Sequence, residues 1–177
     1  MVERLIEEYK EINNNPNGNC GMTIGLVNEN SYYDWKITLF GPKEKENPYY
    51  GGLFYLRAHF PPDYPNHPPE VYFMTPIYHV NVKPTAEGNE SLGHVCISTL
   101  NWWNSEYKMK EVLLNIYSLF FMHNPDSAYG TERAKEYNES EDLYFEKAKY
   151  FTKKYASPIK QNTDYDRSQD WDFNLQQ

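Results

Sequence analysis

Between Ile77 and Trp103 the chain places three side chains able to take part in acyl transfer: His79, Asn81 and Cys96. A cysteine thiolate forms thioesters readily. An asparagine amide donates a hydrogen bond to an oxyanion without carrying a charge. A histidine takes up a proton or braces a loop. Each residue also has a plain alternative. Cys96 lies between Val95 and Ile97, and a free cysteine in such a setting is usually a small core hydrophobe. His79 and Asn81 also suit a turn, since asparagine favours left-handed and capping positions. What separates the two readings is the set of elements around the trio.

Residues 1–13 put Leu5, Ile6, Tyr9 and Ile12 on one helical face, and the polar run from Asn13 to Gly18 ends that helix. Residues 22–40 predict two strands around the turn Asn28-Glu29-Asn30-Ser31. Residues 52–60 predict a third strand, with Phe54, Leu56, Ala58 and Phe60 alternating, and Val71 to Met74 a short fourth. The proline-dense stretch 61–69 cannot enter a sheet interior. From Pro76 to Met109 no period is sustained, which predicts a long ordered loop. Helices are predicted at Lys108–Met122, Glu132–Tyr137 and Glu141–Tyr155, the last with Tyr144, Phe145, Ala148, Phe151 and Tyr155 inward. The expected architecture is α+β: an N-terminal helix, a four-stranded antiparallel meander, a site loop and C-terminal helices.

With 177 residues, 40% of them apolar and 17% aromatic, the chain can build a sizeable core. Its formal net charge of -8 disfavours nucleic-acid binding by phosphate neutralisation and docking on an anionic membrane. The two cysteines, Cys20 and Cys96, suggest neither a disulfide scaffold nor a metal site. No metal or cofactor is therefore expected. The start, MVERLIEEYK, does not read as a secretion signal. A reducing compartment, cytoplasm or nucleus, is the expectation. Residues 158–177 differ from the rest: Asp164, Asp166, Asp170 and Asp172 alternate with Tyr165, Trp171 and Phe173. This segment reads as a solvated tail, or as one made for a basic groove on a partner or folded back on the domain.

The landmarks, in order, are Asp34-Trp35, Gly41-Pro42, Pro48-Tyr49-Tyr50-Gly51-Gly52, Phe60-Pro61-Pro62-Asp63-Tyr64-Pro65, Ile77-Tyr78-His79-x-Asn81, Gly93-x-x-Cys96-Ile97-Ser98, Trp103 and Asn124-Pro125-Asp126. This series resembles the ubiquitin-conjugating enzymes, from about Met1 to Ala156. Gly25-Leu26-Val27 and Cys96-Ile97-Ser98 most resemble the branch that builds lysine-linked chains with multi-subunit ligases. The resemblance implies a catalytic domain at 1–157. Its partners would be an activating enzyme, ubiquitin or a ubiquitin-like modifier, a RING-type or HECT-type ligase and a substrate lysine, with ATP spent only upstream. It implies a modifier thioester on Cys96, with Asn81 stabilising the oxyanion or holding the loop that does so. His79 would brace the turn. Asp126 and Ser127 would line the amine's approach, with helix capping after Pro125 the plain reading of Asp126. Arg4 and Lys10 would meet the activating enzyme, and Asn66, His67, Trp103 and Asn104 the ligase. The Tyr64–Pro65 bond would be a candidate for the cis form.

The pattern also departs from the family. Val80 stands where the family has proline, which removes a φ restraint. Fourteen residues, 82–95, separate Asn81 from Cys96, more than is usual, so a bulge beside the site is expected. The first helix is acidic, with Glu3, Glu7, Glu8 and Glu11 against Arg4 and Lys10, which would slow encounter with an activating enzyme. Two other functions remain open on these residues: a non-catalytic interaction module of the same fold, and a cysteine hydrolase.

Overall fold

The computed structural model describes residues 2–14, 21–84, 93–128 and 131–158. Cys20, most of the 82–95 insertion and nearly all of the tail lie outside these residues. A helix, α1 (Val2–Asn13), leads into a five-stranded antiparallel sheet in the order β1-β2-β3-β4-β5. The strands are β1 (Met22–Asn28), β2 (Ser31–Phe40), β3 (Leu53–His59), β4 (Glu70–Phe73) and β5 (Gly93–His94). Helices α2 (Ser98–Asn101), α3 (Met109–Ser118), α4 (Thr131–Glu139) and α5 (Glu141–Tyr155) follow.

The period-two pattern does what it predicts. Trp35, Ile37 and Leu39 of β2 and Phe54, Leu56 and Ala58 of β3 are fully buried on one face. Trp35 pairs with Ala58, and Ile37 with Leu56. Against that face pack Leu5 and Ile12 of α1 and Met109, Val112, Leu113 and Ile116 of α3. Helix α3 ends at Ser118, short of the predicted Met122. Leu119 and Phe120 continue the apolar stripe in a tighter turn, while Phe121 and Met122 are exposed. In α5, Tyr144, Ala148 and Thr152 are buried at i, i+4, i+8; Phe145, Phe151 and Tyr155 are only half-buried. The Tyr64–Pro65 bond is cis.

The fifth strand is the main addition to the predicted meander. It has two residues, too few to show a period. His94 pairs with Tyr72 and Gly93 with Phe73. A Cβ on Gly93 would come within 3.2 Å of the Phe73 carbonyl and of Val82, so glycine is what lets the strands approach there. Likewise, α2 breaks the predicted loop with a single helical turn.

Candidate active site

Side chains from other elements hold much of residues 77–82. The Ile77, His79 and Val82 carbonyls face Nη1 of Arg133 on α4, at 3.5, 3.2 and 3.2 Å. The Arg133 guanidinium also lies over the Tyr78 ring, 4.4 Å from its centroid. The Tyr78 carbonyl accepts from the Tyr49 hydroxyl at 2.8 Å. The Val80 N–H donates to the Tyr144 hydroxyl at 3.0 Å. A proline at position 80 has no such hydrogen to give. In this chain a tyrosine hydroxyl and a buried arginine hold the stretch around Val80.

His79 has no solvent exposure. Its Nδ1 accepts from the Asn81 N–H at 3.0 Å, which puts the ring hydrogen on Nε2, donating to the Leu119 carbonyl at 2.9 Å. Burial, reinforced by His123 stacked 4.6 Å away, holds its pKa down to about 3. The ring is neutral at physiological pH and both nitrogens are engaged, so it braces the turn and is not placed to take a proton. Burial also lowers the His123 pKa, to about 4.

Asn81 is buried as well. Its side chain pairs with the main chain of Asn124 in both directions: Nδ2 donates to the carbonyl at 2.9 Å and Oδ1 accepts from the N–H at 3.0 Å. Asn124 in turn caps the 3-10 turn Pro125–Ser127 by accepting from the Asp126 N–H at 3.1 Å. Of the two roles open to Asn81, the geometry favours holding the loop. The cap is made by Asn124, not by Asp126, whose side chain is exposed. Ser127 is placed in the 3-10 turn; its side chain lies outside the described ones.

The insertion does not pull the two candidate residues apart. The Cys96 N–H donates to the Asn81 carbonyl at 2.8 Å, and Val82 bridges Val95. The Lys83 N–H donates to the His94 carbonyl at 2.9 Å. With β5 paired to β4, the extra residues leave from a closed stem. The bulge expected beside the site falls on residues 85–92, outside the described ones.

Cys96 is half-buried and forms no disulfide among the described residues. Nδ2 of Asn101 donates to its Sγ at 3.2 Å. Asn101 ends α2, which Thr99 ties to α3 by accepting from Nδ2 of Asn115 at 2.6 Å. Beside α2 lies a shallow groove of about 440 Å³, lined by Ser98, Thr99, Trp102, Leu114 and Asn115 among others. Trp102 is 81% exposed on its rim. Sequence reasoning missed Asn101 and Arg133, and named Asn124 only as a landmark and Tyr144 only as an inward-facing residue. An arginine in a polar helix reads as a surface residue, and nothing local marks its partner.

The candidate partner residues divide. Lys10, Asn66, His67 and Asn104 are exposed. His67 pairs with Asp63. The Asn104 side chain accepts from the Glu106 N–H at 3.0 Å. The Trp103 indole is half-buried and donates to the Pro65 carbonyl at 2.8 Å, joining the two loops expected to face a ligase. Arg4 turns inward: it donates to Glu8 at 2.7 Å and to the Tyr107 carbonyl at 2.8 Å. Glu8 is buried, where it also accepts from the Tyr64 hydroxyl and, at 2.7 Å, from the Met109 N–H. Glu11 pairs with Lys108. The outward face of α1 is therefore less acidic than its composition suggests, because two of its four glutamates are spent inside the fold or on a neighbour.

The model of the family "Ubiquitin-conjugating enzyme" matches residues 4–152. Among solved structures, the E2 domain of a Toxoplasma gondii ubiquitin conjugating enzyme is 27% identical. Its TM-score is 0.73, with 89% of this chain and 100% of that one covered. A candidate ubiquitin conjugating enzyme from Plasmodium yoelii is 30% identical, with a TM-score of 0.73 and coverage of 88% and 95%. Among the described residues no helix is long and apolar enough to cross a membrane.

Proposed function

The chain belongs to the ubiquitin-conjugating enzyme family, and we propose that it accepts ubiquitin, or a ubiquitin-like modifier, from an activating enzyme as a thioester on Cys96. It then passes the modifier to a lysine amine, with a RING-type or HECT-type ligase as partner. The supporting observation is a half-buried sulfur that accepts from an amide donor, Asn101, and whose residue sits one main-chain hydrogen bond from Asn81. In this reading Asn81 fixes the 124–127 loop, and Asp126 and Ser127 on that loop receive the amine. His79 keeps the turn in shape. Lys10 is the cation that α1 offers the activating enzyme. The surface around Asn66, His67, Trp103 and Asn104 meets the ligase, and the branch resemblance makes a chain-building role the first to try.

Incubation with an activating enzyme, ATP and a panel of modifiers tests the proposal. The expected result is an adduct that thiols remove, and that becomes a reductant-stable oxyester in Cys96→Ser. If no modifier is loaded, the domain is an interaction module and not a carrier.

A further inference from the structure

We propose that Asn101 is a catalytic residue whose side-chain amide stabilises the negative charge on Cys96 Sγ each time that sulfur attacks or departs. For its reaction the inference rests on the carrier reading; its geometry stands independently. The amide nitrogen is 3.2 Å from Sγ, within the range for a donor to sulfur. Its position is fixed from beneath: the Asn101 N–H bonds to the Ile97 carbonyl at 3.0 Å, and the Trp102 N–H to Ser98 at 2.8 Å. Thr99, buried within the same turn, is tied to Asn115 of α3. Two asparagines are bonded to Cys96, Asn81 through its main-chain carbonyl and Asn101 through its side-chain amide. The side-chain amide of Asn81 is bonded to the Asn124 main chain in both directions, whereas that of Asn101 touches the sulfur.

The chemistry needs such a donor twice. On loading, the Cys96 thiolate bonds to the modifier's terminal carbonyl carbon. The bond from that carbon to the activating enzyme's sulfur breaks, and its electron pair leaves on that sulfur. On discharge, the lysine nitrogen bonds to the same carbon. The bond to Cys96 breaks, its electron pair returns to Sγ, and the amine's proton passes to solvent. No atom is oxidised or reduced. In both steps Sγ carries charge at the start or the end, and an N–H donor favours the charged form. An amide does this without holding a proton that it could lose or a charge that would tie the thiolate down.

The test uses the full chain in a Cys20→Ser background, with iodoacetamide as the probe of thiolate. Asn101→Ala should slow alkylation at neutral pH by about three- to tenfold, the loss of one donor to the charged sulfur. Asn101→Asp should slow it further, because a carboxylate opposes a neighbouring thiolate. Asn30→Asp, which adds the same charge on the β1–β2 turn, should match the parent. Loading and lysine discharge should slow in the same order, with unchanged thermal melts, since Asn101 is exposed. The proposal is overturned if the Asn101 variants alkylate like the parent, or if alkylation shifts while both transfer rates stay at parent values. If the parent itself forms no thioester, the carrier reading fails. The alkylation series then still decides whether the amide acts on the sulfur.

Discussion

Deleting one hydroxyl, with Tyr144→Phe, tests the idea that side chains hold the stretch around Val80. Tyr144 and Val80 are both fully buried and joined by a 3.0 Å hydrogen bond. Without the oxygen, the Val80 N–H has lost its acceptor away from water, a penalty of about 1–3 kcal/mol. For a chain of this length that lowers the melting temperature by roughly 2–4 °C per kcal/mol. The hydroxyl also engages Tyr49, so the single variant mixes two losses. Val80→Pro removes the N–H from the other end, and a thermodynamic cycle then separates them. Tyr144→Phe should cost less in the Val80→Pro background than in the parent, by about 1–2 kcal/mol. Denaturant titrations of the four proteins give the four free energies. Equal losses in the two backgrounds would show that Val80 and Tyr144 are uncoupled, and would refute the account of position 80.

Acid should destabilise the fold through its buried histidines. His79 and His123 titrate near 3 and 4 when folded, against about 6.5 unfolded. The unfolded chain therefore binds more protons below pH 6.5, so stability falls as pH drops from there toward the folded values and is untouched above. The steepest slope is up to ~2.7 kcal/mol per pH unit from the pair, and His123→Phe should about halve it in denaturant titrations at pH 7, 6 and 5. Asn81→Ala should load at the parent rate but discharge to lysine slowly, because it releases the Asn124 main chain; normal discharge would remove Asn81 from the mechanism. Glu8→Ala should cost more than about 3 kcal/mol, since Arg4, Tyr64 and Met109 all lose an acceptor. A cost within 0.5 kcal/mol, the range of ordinary surface changes, would count against that reading of Glu8.

The sheet and α3 were legible in the chain because both bury one face, and burial imposes a period on the sequence. Trp35-x-Ile37-x-Leu39 and Met109-x-x-Val112-Leu113-x-x-Ile116 carry that signal directly. Short elements lack it: Gly93–His94 is a strand only because Tyr72 and Phe73 lie opposite. The site was legible as residue types, Cys96 and Asn81, and not as contacts. Which carbonyls Arg133 reaches, or that Asn101 lies against the sulfur, depends on chain separated by up to 56 positions or on a turn too short to announce itself. Glu8 misled for the same reason. A carboxylate on a helix with three other glutamates reads as solvated until Tyr64 and Met109 are seen to converge on it.

The closed stem beneath the insertion has a practical meaning. Val82, Val95, Lys83 and His94 are joined across the strands before the extra residues begin, so the pairing that sets Cys96 beside Asn81 is made by residues on either side of that segment. Loop-closure entropy grows slowly with added residues. This position is therefore a natural graft point, where a recognition peptide or reporter could be spliced in near Cys96 while the Cys96–Asn81 pairing is kept.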